Sequence, residues 1–370
     1  MQFLLAAVNA KYIHSNPAIY SLKSYAGREL QRHIALAEYT INNKMEEILG
    51  DLYRRQPDVI GFSCYIWNWR LVQELLRELP KVLPGTELWL GGPEVSFDAV
   101  KILEDFPMVR GIMAGEGEET FKELLSFYIA RERHDGLRSI PGLVLRSGST
   151  GARDLTDMDE LPFLYDNLQD FENRIIYYET GRGCPFRCGY CLSSIDKRVR
   201  LRSLSTVKRE LQFFLDKRAL QVKLIDRTFN CSHSHALEIW RYIQEHDNGV
   251  TNFHFEIAAE LLNEEELAIL KDMRPGLVQL EIGVQTTNRD TLAAINRSGD
   301  TACIARRVAE INEGRNIHIH LDLIAGLPFE GYESFKKSFN EVYAMAPLQL
   351  QLGFLKVLKG TPIRKKAEEY

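Results

Sequence analysis

The 370-residue chain has no apolar run near the ~20 residues that a membrane-spanning helix needs. Its opening, MQFLLAAVNAKYIH, has no basic segment ahead of the apolar stretch and no clear cleavage site. That argues against a secretory leader and for a buried first strand. Positive charge is not in surplus: 46 Lys and Arg against 51 Asp and Glu give a formal net charge of -5. Bulk electrostatics therefore give no footprint for a nucleic-acid partner. Cysteine is scarce, six in all, and three of the six fall in one short stretch. That is no disulfide framework. In a reducing cytoplasm, the expected location, such a cluster means metal or catalysis. Internal repeats and low-complexity tracts are missing too. What remains is 45% hydrophobic and 26% charged, an ordinary soluble globular composition long enough for roughly two domains.

Short apolar runs alternate with helical periods along the first third. Phe3 to Val8, Ile34 to Tyr39, Asp58 to Cys64, Glu87 to Leu90 and Val109 to Met113 are the expected strands, with helices near Pro17 to Gly27 and Trp69 to Leu79. Such alternation implies a parallel sheet with helices on both faces. Ligands of such sheets bind beyond the carboxyl ends of the strands, where the glycine-bearing stretches Gly91-Gly92-Pro93 and GEGE (115 to 118) lie. Residues 1–139 form the first expected domain. Residues 140–172, rich in Gly, Ser, Asp and Pro, read as a connector carrying a small hairpin. A second alternation fills 173–370, with expected strands at Ile175–Thr180, Val222–Asp226, Phe253–Ile257, Leu277–Gly283, His318–Ile324 and Leu348–Leu355. Ser205–Leu215 and Asn263–Lys271 are expected helices, the latter opening on a capping box of Asn263 and Glu266. Six βα repeats in about 190 residues suit a barrel or part of one, with chemistry at the carboxyl ends of its strands. The chain stops inside the charged run RKKAEEY, which leaves room for a longer parent protein.

The three clustered cysteines, Cys184, Cys188 and Cys191, lie in GRGCPFRCGYC directly after the first expected strand of this second unit. Thiolates are soft ligands, suited to zinc or to an iron–sulfur cluster. A structural zinc needs a fourth ligand, for which Cys231, His233 and His235 in CSHSH are candidates, although that segment reads better as a serine-capped loop that starts a helix. A cluster held by three cysteines instead keeps one iron open, which is a reactive arrangement.

The CxxxCxYC spacing after a barrel's first strand resembles the radical S-adenosylmethionine (radical SAM) superfamily, and the likeness runs from about residue 172 to 357. LIDRTFN (224 to 230), FEIAAELL (255 to 262), LEIGVQTTN (280 to 288), INRSGD (295 to 300) and DLIAGLPFEG (322 to 331) resemble its later strand motifs. The resemblance implies that Cys184, Cys188 and Cys191 ligate three irons of a [4Fe-4S] cluster whose fourth iron is chelated by S-adenosylmethionine. It further implies that Tyr190 lies near the adenine, that Arg297 pairs with the methionyl carboxylate, and that Glu256 and Gln285 face the ribose and amino groups.

An α/β unit ahead of such a barrel, with GGPE, GEGEETF and the connector DMDELPF, resembles the cobalamin-binding class of that superfamily. Ser63, Gly91, Gly92, Gly115, Glu116 and Gly117 are the positions implied to meet cobalamin. The chain departs from one familiar pattern: DxHxxG is missing, and YIHSNP offers only His14 in the corresponding loop, a weak candidate for a cobalt ligand.

The expected architecture is therefore a Rossmann-like parallel sheet of cobalamin-binding type, followed by a partial (β/α)6 TIM-like radical SAM barrel. The implied activity is reductive cleavage of S-adenosylmethionine to a 5′-deoxyadenosyl radical and methylation of an unactivated carbon. The expected partners are a small-molecule or peptide substrate, whose identity the sequence does not reveal, and a reductant such as flavodoxin or ferredoxin. Two rivals stand beside this reading. One is a methylthiotransferase-like enzyme acting on RNA or protein, weakened because Cys64 is the only cysteine before Cys184. The other is a non-catalytic zinc- or cobalamin-binding sensor.

Overall fold

In the computed structural model, which describes residues 1–130, 134–195 and 198–370, the chain divides into two compact units, Met1–Arg174 and Ile175–Tyr370.

In the first unit β1 (Phe3–Asn9), β2 (Ile34–Thr40), β3 (Val59–Ser63), β4 (Glu87–Gly91) and β5 (Val109–Met113) lie parallel in the order β2-β1-β3-β4-β5. Every residue of β1 is buried, as an apolar run in the middle of a doubly covered sheet should be. Its side chains alternate between two cores. Leu4, Ala6 and Val8 join Ile48, Leu52, Leu75 and Leu76 on one face, while Phe3, Leu5 and Ala7 join Ile19, Phe121 and Leu124 on the other. The helix Trp69–Val82 shows why its sequence is helical: Val72, Leu75, Leu76 and Leu79 recur at three- and four-residue spacing and are its buried positions. Each such side chain contributes about 1.5–3 kcal/mol by leaving water. The hairpin of β6 (Leu143–Leu145) and β7 (Gly148–Ser149) pairs antiparallel onto β5 and so extends the first sheet. Because β1 has β2 on one side and β3 on the other, the strand order reverses between β1 and β3. Open parallel sheets bind their ligands at such a switch point, beyond the strands' carboxyl ends.

The second unit holds β8 (Ile176–Tyr178), the short antiparallel pair β9 (Gly181–Arg182) and β10 (Arg200–Leu201), and then β11 (Gln221–Leu224), β12 (Asn252–Ile257), β13 (Val278–Gln285), β14 (His318–Ala325) and β15 (Gln349–Phe354). β8 and β11 to β15 form one open, all-parallel sheet in the order β8-β11-β12-β13-β14-β15. Helices such as Leu204–Asp216, His233–Glu245, Glu264–Lys271 and Thr301–Asn312 connect the strands, which makes the unit a partial (β/α)6 barrel. The capping box is formed: the Asn263 amide donates to the Glu266 carboxylate at 2.9 Å, and Asn263 Oδ1 accepts from the Glu266 amide at 2.9 Å. β13 shows the division of faces. Val278, Leu280, Ile282 and Val284 are buried, and Gln279, Glu281, Gly283 and Gln285 share the opposite face. Register puts Glu256, Glu281 and His320 side by side on that polar face, and Lys223 beside His254. No helix among the described residues is long and apolar enough to cross a membrane.

Candidate cofactor sites

The cysteine loop starts from a fixed root. Asp226, buried just past β11, accepts from the Thr180 amide (3.0 Å) and the Thr180 hydroxyl (2.5 Å). Burial pushes the Asp226 carboxyl up to about 7, against the two Thr180 bonds, which favour the ionised form. The glycines of GRGC are demanded by packing. Gly183 has φ 93°, and a Cβ there would lie 2.1 Å from the Arg198 carbonyl oxygen. A Cβ on Gly181 would lie 2.8 Å from Leu201 Cδ2 and 3.1 Å from Asp226 Oδ1.

Residues 295–297, beyond β13, run against the loop one by one. The Ile295 carbonyl accepts from the Gly189 amide at 2.6 Å, and the Asn296 side chain donates to the Arg187 carbonyl at 2.9 Å. The Arg297 guanidinium reaches Cys188 Sγ at 3.5 Å, the Tyr190 hydroxyl at 3.4 Å, and the Gly283 carbonyl. Burial raises the pKa of the Cys188 thiol, and the Arg297 charge opposes it by favouring the thiolate. Cys184 and Cys188 are buried and Cys191 is half-buried; Cys184 Sγ lies 3.5 Å from the Thr228 hydroxyl.

Gln285 ends β13 at a bulge with φ 72°, and its amide folds back over Gly283. A Cβ on Gly283 would meet Gln285 Nε2 at 2.2 Å and Arg297 Nη2 at 3.5 Å, so this glycine leaves the room that both side chains share. Gln285 Oε1 and Arg297 Nε are buried with no hydrogen-bond partner. An acceptor and a donor orphaned near the thiols fit a polar ligand such as an amino acid moiety. Glu256 turns to the polar face of the sheet, its carboxylate 3.3 Å from Lys223 Nζ, and burial raises its pKa.

The donor set suits a cluster better than a single ion. Among the described residues, three His, Cys, Asp or Glu ligand atoms come within 4.8 Å of one another only at His254, Glu281 and His320, so the thiols are spread wider than one zinc would hold them. His233 and His235 do not complete a zinc site either. His233 Nδ1 lies 3.1 Å from the Glu266 carboxylate, and His235 is buried in the helix His233–Glu245.

In the first unit the strand ends at the switch point are held by amides. Asn68, fully buried, donates to the Val8 carbonyl (3.0 Å) and the Ser63 carbonyl (2.9 Å), tying the ends of β1 and β3 together. Asn16 donates to the Ser63 hydroxyl at 3.5 Å and caps the helix Pro17–Tyr25. Asn9 holds the His14 carbonyl at 3.0 Å, which places the half-buried His14 in the loop after β1.

The glycines differ in what they do. Gly92 has φ 104°, and a Cβ there would lie 2.5 Å from the Cys64 carbonyl oxygen, so the fold itself requires it. A Cβ on Gly117 would lie 3.1 Å from Leu22 Cδ2, and Glu116 accepts from the Thr156 amide at 3.0 Å. A Cβ on Gly91 would meet nothing closer than 3.6 Å, and one on Gly115 would face open space. Sequence reasoning missed the aromatic shelf after β3. Tyr65 and Trp67 stack with centroids 4.3 Å apart, Trp67 Nε1 donates to the Val8 carbonyl at 3.2 Å, and Ile66 and Trp67 remain exposed. The run YIWNW directly after a strand was the available signal. A flat, largely apolar ring system fits this shelf and the side-chain-free edge at Gly91 and Gly115.

The comparisons agree with this geometry. The model of the B12 binding domain matches residues 4–125, and that of the radical SAM superfamily matches residues 178–342. The chain thus carries a B12-binding domain followed by a radical SAM domain. It is 26% identical over 345 residues to the cobalamin-dependent radical SAM methyltransferase TokK of Streptomyces tokunonensis, covering 85% of this chain and 49% of that protein. It is 27% identical over 361 residues to the 2-(S-pantetheinyl)-carbapenam-3-carboxylate methyltransferase of Streptantibioticus cattleyicolor, covering 92% and 51%. The chain thus spans about half the length of these relatives. The fold is shared with the radical S-adenosylmethionine methyltransferase TsrM from Kitasatospora setae, solved with cobalamin and a [4Fe-4S] cluster. That match has a TM-score of 0.78 at 17% identity and covers 100% of this chain and 75% of that one. OxsB, solved with aqua-cobalamin and S-adenosylmethionine, matches with a TM-score of 0.75 at 16% identity, covering 99% and 60%.

Proposed function

We propose that the chain is the core of a cobalamin-dependent radical SAM enzyme that methylates an unactivated carbon of a small-molecule or peptide substrate. The observation that carries this is Arg297, whose guanidinium lies between Cys188, Tyr190 and the Gly283 carbonyl. A planar cation so held can take a carboxylate at the open corner of a three-cysteine cluster, with the unpaired Gln285 Oε1 available to an ammonium group.

When bound, the reduced cluster supplies the electron that splits S-adenosylmethionine into methionine and a 5′-deoxyadenosyl radical, and the corrin supplies the methyl group. The protein's share is positioning. Asp226 and residues 295–297 fix the cysteine loop, Tyr190 and Arg297 orient the sulfonium donor, and burial of Cys184 and Cys188 keeps water from the thiolates. In the first unit, Gly91 and Gly115 keep the sheet edge free of side chains, and Tyr65 to Trp67 present an apolar face to the ring. Electrons would come from a reductant such as flavodoxin or ferredoxin in the cytoplasm.

The test is anaerobic reconstitution of the chain. It should hold about four irons and take up cobalamin, and with reductant and S-adenosylmethionine it should release 5′-deoxyadenosine and methionine. Cys188→Ala should lose the cluster. Full iron content in Cys188→Ala, or zinc in place of iron, would remove the radical chemistry.

A further inference from the structure

The polar face of the second sheet gathers residues to which neither the cysteine loop nor the family likeness has assigned a part. Two histidines, His254 on β12 and His320 on β14, flank Glu281 on β13, and Asp322 follows on β14. His254 Nε2 lies 2.9 Å from Glu281 Oε2, and His320 Nε2 lies 3.0 Å from Asp322 Oδ1. His254 and His320 are 7% and 5% exposed, so neither imidazole can turn to water for a partner. Yet His254 Nε2, His320 Nε2 and Asp322 Oδ1 all lack a hydrogen bond in acceptable geometry. Close approach in poor hydrogen-bond geometry leaves these buried atoms without a well-aligned partner. A cation among the atoms relieves that, and it satisfies all three orphans at once.

We propose that this triad, His254, Glu281 and His320, is a binding site for a divalent transition-metal ion of the zinc type, separate from the cysteine loop. The three ligand atoms lie within 4.8 Å of one another, a spread that small side-chain adjustments would bring to bonds of about 2.0–2.2 Å. Two imidazoles and a carboxylate are the donor set that zinc and its first-row neighbours favour over calcium or magnesium. Asp322 Oδ1, 3.0 Å from His320 Nε2, is poised as a fourth ligand or as the orienting partner of that imidazole.

Charge points the same way. Glu281 and Glu256 share the ammonium of Lys223, at 2.8 and 3.3 Å, and Asp322 adds a third carboxylate beside His320. A divalent cation suits a buried layer so rich in carboxylates. The site needs no iron–sulfur cluster, and the proposal stands apart from the methyltransferase reading.

The test removes the thiols first, because zinc also binds cysteine. A chain carrying Cys184→Ser, Cys188→Ser and Cys191→Ser is stripped with chelator and then titrated with Zn²⁺ against a chromophoric chelator, and separately with Co²⁺. One ion per chain is expected. The cobalt form should show d–d bands of low coordination number and no thiolate charge-transfer band. Adding Glu281→Gln or His320→Gln should raise Kd more than about a hundredfold, beyond the loss seen for outer-sphere partners, with the fold checked by circular dichroism. The cobalt spectrum decides the matter even if those two variants fail to fold. A three-serine chain that binds no Co²⁺ or Zn²⁺ stoichiometrically overturns the proposal, and so do folded Glu281→Gln and His320→Gln chains that bind as tightly as their parent.

Discussion

Asp226 offers the sharpest test of how the cysteine loop is held. Its carboxyl, buried and bonded to the amide and hydroxyl of Thr180, is pushed up to about 7 from 3.8. The folded state therefore binds this proton more tightly than the unfolded chain does. Its contribution to stability is fully present below 3.8 and is lost as pH rises through about 7. At about 1.4 kcal/mol per pH unit, that difference amounts to about 4 kcal/mol at most. Asp226→Asn removes the titration and keeps the geometry: the amide oxygen still accepts from the Thr180 N–H, and the Thr180 hydroxyl can turn to accept from the amide nitrogen. Asp226→Ala removes both bonds and leaves the Thr180 amide buried, a loss of about 2–4 kcal/mol. The assay is denaturant unfolding of the cluster-free chain from about pH 4.5 to about pH 8, a range that spans the titration. It is read through Trp240 by exciting variants that lack Trp67, Trp69 and Trp89. Hydrogen exchange over residues 180–191 reports the loop itself. The wild type should lose stability relative to Asp226→Asn as pH rises through this window, and Asp226→Ala should exchange faster in the loop and reconstitute less iron. An identical pH slope in wild type and Asp226→Asn would refute the reasoning.

Arg297→Ala should keep the cluster but weaken S-adenosylmethionine binding about 10- to 150-fold, the worth of one charge-assisted hydrogen bond of roughly 1.5–3 kcal/mol, as read by equilibrium dialysis. Gly92→Ala should destabilise the first unit by about 3 kcal/mol or more, because its Cβ meets the Cys64 carbonyl oxygen in a backbone region open to glycine alone; thermal unfolding checks this. Gly91→Leu, with no contact under 3.6 Å at its Cβ, should fold normally and fail to take up cobalamin in a spectrophotometric titration. His14→Ala should leave cobalamin binding intact, and nitrogen superhyperfine splitting in the Co(II) spectrum that vanishes in this variant would show the opposite.

Most strands were legible because burial on both faces writes a continuous apolar run, as in Phe3 to Val8, and that run ends where polar loop residues begin. The limits came where local chemistry overrides pattern. Ile175 to Thr180 reads as one strand, yet β8 stops at Tyr178 because Thr180 turns to bond Asp226. Val278 to Gln285 runs two residues past its expected end, because a bulge lets Gln285 fold over Gly283. The hairpin at Leu143 to Ser149 was visible, but its place on β5 was not, since pairing partners are set by tertiary register.

The sites divide along the same line. Cysteine spacing is local, and so Cys184, Cys188 and Cys191 could be singled out at once. The approach of Arg297 to Cys188, 109 residues earlier in the chain, could be anticipated only through family likeness. Gly92 reads as a ligand-facing glycine, and the fold requires it on its own account because a Cβ would meet the Cys64 carbonyl, a demand that a glycine letter cannot carry. The interior cluster is the clearest case. FHFEI, LEIGV and HIHLD each read as an ordinary strand with polar residues at every second position. Only parallel register, setting Glu281 beside His320 and Glu256 while His254 leans in from the adjoining rung, turns three unremarkable alternations into one convergent donor set. A period of two tells which residues share a face, but which of them meet depends on a stagger between strands that no single segment encodes.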